Sequence, residues 1–146
     1  MSTRLEHGTA DWFEMVGRVM CDSAAQAALP PVLNFGLVER YLDGAPLPGG
    51  FLPGLRFDIR DGQPRFRVGA LPGEQADVTV EVTATASREL NTLYANDPRY
   101  PAALARLQAS GELRIHGDVA GLGAWFGSVH DAIVERTAQR STGSSI

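Results

Sequence analysis

The stretch Ser110-Gly-Glu-Leu-Arg-Ile-His-Gly-Asp-Val-Ala-Gly-Leu-Gly-Ala-Trp-Phe-Gly-Ser-Val-His-Asp-Ala-Ile-Val134 decides how the rest of the chain is read. Leu113 and Ile115 alternate with Glu112, Arg114 and His116 as in a half-buried strand. Gly117-Asp118 marks a tight turn, after which Leu122, Trp125, Phe126, Val129 and Ile133 recur at helical spacing. The pattern predicts a strand, a turn with Asp118 as helix cap, and one amphipathic closing helix. Such a helix must cover a sheet or share its apolar face with a ligand.

Upstream, Trp12, Phe13, Val16, Val19, Met20 and Ala24 fall at helical intervals between Thr9 and Ala28, and Pro30-Pro31 ends that helix. Leu33, Phe35, Leu37 and Tyr41 then alternate as in a strand, with Glu39 the one charged residue interrupting the apolar side. The Pro/Gly-rich segment 43–54 is a loop with apolar tips, which either folds back over the core or lies across a site. Leu55–Arg60, Asp61-Gly62 and Gln63–Val68 form the clearest hairpin, since Asp-Gly accepts the positive φ that tight turns need. Phe57 and Ile59 face one way, and Arg56, Asp58, Arg60, Arg65 and Arg67 form a charged outer surface.

Ala76–Thr83 adds a strand with Val78, Val80 and Val82 inward. Two helices follow, Ser87–Ala95 with Leu90, Leu93 and Tyr94, and a second after Asn96-Asp97-Pro98 with Tyr100, Ala103, Leu104 and Leu107. A sheet wet on one face needs these helices on the other.

Composition narrows the function. The 146 residues suit one domain, and the 44% hydrophobic and 21% charged content is ordinary for a globular chain. A net charge of −4 offers no basic footprint for nucleic acid. No apolar run approaches the roughly 20 residues of a transmembrane helix, so no transmembrane segment is expected. The first residues carry no apolar signal core, and Cys21 is alone, so the expected compartment is the cytoplasm. A homodimer formed through the apolar loop remains an alternative.

Gly117, Gly121 and Gly123 mimic the dinucleotide fingerprint of short-chain dehydrogenases, but such a loop needs a following strand with an acidic residue about 20 positions on. The residues after Gly123 read as a helix and a polar tail, so no cofactor is expected. His7, His116 and His130 lack metal-ligand spacing, and no nucleophile elbow is present. His116, Asp118 and His130 are the only acid–base groups worth nominating, and no catalytic residue is assigned.

The strand beginning Ala76-Asp-Val-Thr, the helical pair, the strand Gly111-Glu-Leu-Arg-Ile-His-Gly-Asp118 and the closing amphipathic helix together resemble the sterol carrier protein-2 (SCP2) family. The resemblance implies an α/β (α+β) fold with a five-stranded, mainly antiparallel sheet covered on one face by about four to five helices. It also implies an apolar tunnel for a fatty acyl chain, sterol or similar lipid. On that reading residues 9–137 form a single domain, residues 1–8 a flexible N-terminus and residues 138–146 a disordered tail. The expected partner is a hydrophobic small molecule, and the candidate wall residues are Val16, Val19, Phe35, Phe57, Val80, Leu104, Leu107, Trp125, Phe126, Val129 and Ile133. An enzyme using the same pocket and an accessory or dimerisation module are the alternatives.

Overall fold

A computed structural model describes residues 4–139. The elements run α1 (Ala10–Gln26), β1 (Phe35–Tyr41), β2 (Leu52–Arg60), β3 (Gln63–Ala70), β4 (Val78–Val82), α2 (Ala84–Leu90), α3 (Arg99–Ser110), β5 (Leu113–His116) and α4 (Val129–Arg136). The five strands form one mixed sheet in the order β3-β2-β1-β4-β5, an α+β fold. Three ladders are antiparallel, and only β1 and β4 run parallel.

Register explains which side chains share a face. Leu37 pairs with Phe57 and Val78, Glu39 with Leu55 and Val80, and Val80 in turn with Ile115. These residues lie on one face, since neighbours across a ladder point the same way. α1 packs on β3 at Gly17, where an added Cβ would fall 2.1 Å from the Phe66 ring. Thr9 caps α1 by accepting from the Trp12 amide at 3.1 Å. Gly111, with φ of +83°, ends α3 in the left-handed conformation that glycine tolerates.

The outer face is charged as expected but is not simply wet. Arg56 bridges Asp58 at 3.1 Å and Glu74 at 3.2 Å, and Arg67 reaches Glu74 at 2.5 Å. These pairs, with Arg40 donating to the Glu74 carbonyl, hold the segment 74–77 across the sheet. Val38 and Thr79 are therefore buried on that side.

The closing segment departs from the sequence reading. In place of one helix there are two 3₁₀ turns, Val119–Leu122 and Ala124–Ser128, followed by α4. Asp118 caps the first turn, accepting from the Ala120 amide at 2.9 Å. Gly123 has φ of +112°, which breaks the helix between the turns. Gly121, Gly123 and Gly127 each weaken a helix by about 1 kcal/mol relative to alanine, and local turns win. Gly121 also lets Phe35 pack close, since a Cβ there would meet its ring at 2.4 Å.

A further helix boundary is revised, while the loop before β2 takes one of its two expected courses. α2 starts earlier, because Thr83 caps it by accepting from the Ala86 amide at 3.1 Å, and it ends at Leu90 rather than Ala95. The loop before β2 folds back over the core, with Leu47 buried and Phe51 half-buried against Gly69 and under Arg67. Of residues 1–8, expected as a flexible N-terminus, residues 1–3 lie outside the described residues, Leu5 bridges Thr137 and His7 is buried. At the other end the Ala138 amide donates to the Leu5 carbonyl at 2.7 Å, and residues 140–146 of the expected tail lie outside the described residues.

Candidate functional site: an apolar cavity with one carboxyl

A cavity of about 350 Å³ lies between the helices and the core face of the sheet. That is within the roughly 300–1,000 Å³ of small-molecule sites. α1 contributes Trp12, Val16 and Met20, one stripe at four-residue spacing, and the sheet contributes Leu37, Glu39, Leu55 and Val80. α3 adds Tyr100 and Leu104, and the closing segment adds Phe126, Val129, His130 and Ile133. Ile115 and Val119, 42% and 38% exposed, line the cavity while reaching solvent, and so mark its mouth.

Of the residues expected to form the wall, Val16, Val80, Leu104, Phe126, Val129 and Ile133 border the cavity. Val19 faces a separate shallow cleft with Met15 and Arg18. Phe57 and Leu107 are core residues, Phe35 packs on Gly121, and Trp125 fills space between Phe57 and Phe126, with ring centroids 5.9 and 5.7 Å away. The Trp125 indole donates to the Leu122 carbonyl at 2.7 Å, which fixes it in the turn rather than in the cavity wall.

The polar groups in the wall are few. His130 donates from Nε2 to the Leu93 carbonyl at 2.7 Å, and its ring lies 4.6 Å from that of Tyr100. Asn91 donates to the carbonyl and hydroxyl of Ser87 at 2.8 and 3.2 Å. Glu39 has no hydrogen-bonding or ionic partner among the described residues, and burial pushes its carboxyl up to about 7. It keeps intermediate exposure because its side chain borders the cavity.

Behind Asn91 lies a buried cluster that the sequence did not announce. His7 Nε2, Ser87 Oγ and the Tyr41 hydroxyl form a triangle with sides of 2.9, 3.0 and 2.7 Å. Burial, with a smaller contribution from Arg88, pushes His7 down to about 4. The other nominated groups lie elsewhere: His116 is exposed and pairs with Glu81 at 3.1 Å, and Asp118 is a cap. Only His130 of the three reaches the cavity. No helix among the described residues is long and apolar enough to cross a membrane.

No family model and no curated protein matches the chain. Among solved structures it is similar to a conserved hypothetical protein of Thermus thermophilus, at 18% identity over 98% of this chain and all (100%) of that one, with a TM-score of 0.46. It is also similar to a crystal structure of sterol carrier protein 2, at 15% identity over 88% and 96% of the two chains and a TM-score of 0.48. The sterol carrier protein domain 2 of Helicoverpa armigera gives 14% identity, 95% and 99% coverage and a TM-score of 0.48. These matches span most of both chains at low sequence identity.

Proposed function

We propose that this protein binds one hydrophobic ligand, with an alkyl chain or comparable apolar body, in the cavity between sheet and helices. The observation that carries the reading is a void of about 350 Å³ with walls of Val16, Leu37, Val80, Leu104, Phe126 and Ile133, reached past Ile115 and Val119. Removing an alkyl chain from water stabilises the complex by about 25 cal/mol per Å² buried, before ordering costs. Val80 and Leu104 face the chain from opposite sides, one on the sheet and one on α3. Residues 9–137 act as a single binding domain on this reading.

The observations favour binding, because the wall is mostly apolar and its His130 is engaged with the Leu93 carbonyl. The binding reading therefore stands first. Native mass spectrometry of freshly purified protein, followed by titration with a neutral fluorescent alkyl probe, tests it. Binding of one probe per chain, lost in Val80→Phe while the fold is kept, is expected. A protein that carries no ligand and takes up no probe overturns the proposal.

A further inference from the structure

We propose that Glu39 determines the specificity of the cavity, and that it selects hydrophobic ligands ending in an amine. The inference rests on the binding reading above and adds the chemistry of the polar end.

Glu39 sits on β1, the central strand, between Leu55 on β2 and Val80 on β4. Its neighbours on the strand show what a structural charge looks like in this fold. Arg40 points to the opposite face and is paired with Glu81 at 2.6 Å. Arg56, Asp58 and Glu74 on that face are also paired. Glu39 alone points inward, into a wall of apolar side chains, with no protein group to accept from or pair with among the described residues. A carboxyl so placed costs stability unless something compensates it.

In the empty cavity protonation compensates it, in keeping with its raised titration; once it is ionised, the compensating group comes with the ligand. Beside the ionised Glu39, a fatty-acid carboxylate brings a second negative charge and worsens the site. An alcohol donates one hydrogen bond and leaves the ionised form uncompensated. A protonated amine both donates and neutralises, and hydrogen bonds to charged groups are the stronger ones.

Other titratable groups near the site are accounted for. Tyr100 and His130 face the cavity from α3 and α4, and Tyr41 shares the strand face with Glu39. His7 and Arg88 act on Tyr41 from behind. The lining residues of α1, Trp12, Val16 and Met20, carry no charge, nor do Leu55 and Val80 on the flanking strands.

The test titrates the whole chain with dodecylamine, dodecanol and dodecanoate by calorimetry, for wild type, Glu39→Gln, Glu39→Met and His130→Asn. Both Glu39 variants remove an uncompensated carboxyl and are expected to fold. Wild type should bind the amine about tenfold or more tightly than the carboxylate. Both Glu39 variants should erase that preference and His130→Asn should keep it. The preference should also grow from about pH 5.5 to about pH 8.5 in wild type and in His130→Asn, and stay flat in Glu39→Gln. Equal binding of the three compounds, or a preference indifferent to Glu39, overturns the inference and leaves the binding reading intact. Failure of all three to bind wild type overturns the binding reading itself.

Discussion

Glu39 and Val80 are register partners in the parallel β1–β4 ladder, and both side chains line the cavity. The sheet thus sets a carboxyl beside an aliphatic wall at the middle of its core face. This juxtaposition has consequences for stability as well as binding.

Glu39 and His7 should give opposite pH dependences. The Glu39 carboxyl is raised from 4.5 to about 7 by burial, so the native state holds its proton longer than the unfolded state does. Its contribution is fully present below about pH 4.5 and is lost as pH rises through about 7. His7 is lowered from 6.5 to about 4, so its contribution is present above about pH 6.5 and is lost as pH falls through about 4. Each displacement corresponds to at most roughly 3 kcal/mol, and the two slopes offset each other between about pH 4.5 and 6.5. Urea unfolding should give a nearly flat profile there for wild type. Glu39→Gln should leave stability rising with pH, and His7→Gln should leave it falling. The same slope in both variants would refute the assignment.

Thr137 joins the end of the described chain to α1. Its hydroxyl accepts from the Trp12 indole at 2.9 Å and donates to the Ile133 carbonyl at 2.7 Å, all within the core. Thr137→Val keeps the shape and strands the buried indole N–H, at a cost of about 1–3 kcal/mol. Chemical denaturation measures the loss, and an unchanged midpoint would show that the bond contributes nothing.

Gly17 is a packing glycine within a helix. Gly17→Ala should gain about 1 kcal/mol of helix propensity and lose more by pushing Phe66 aside, since overpacking costs about 1–3 kcal/mol. The variant should melt below wild type, and Phe66→Leu in the same chain should restore part of the difference. A higher melting temperature for Gly17→Ala alone would contradict the close α1–β3 contact.

How much of this was legible in the sequence follows from the range of the interactions involved. The α1 periodicity, the Asp61-Gly62 hairpin and the alternation in β4 are local patterns, and each element lies where those patterns placed it, except that β2 begins at Leu52, inside the segment expected as loop. The closing helix was misread because its apolar spacing is helical while Gly121, Gly123 and Gly127 favour turns, and spacing alone does not weigh the two. The Trp12, Val16 and Met20 stripe was present in the sequence, but which part of a wide apolar face meets a void depends on the partners of that face. Glu39 was visible as the one charge on an apolar strand face. His7 was not, because its partners Tyr41 and Ser87 lie 34 and 80 residues away.

The binding account is tested most directly at Trp12, which is buried and lines the cavity. The chain has two tryptophans, so Trp125→Phe leaves Trp12 as the sole indole reporter. Titrating that variant with a dodecyl chain brominated along its length should quench Trp12 fluorescence to saturation at one chain per protein, with the unbrominated chain competing. Fluorescence that stays unquenched across the titration, in a variant that remains folded, would contradict the claim that the cavity holds a hydrophobic ligand.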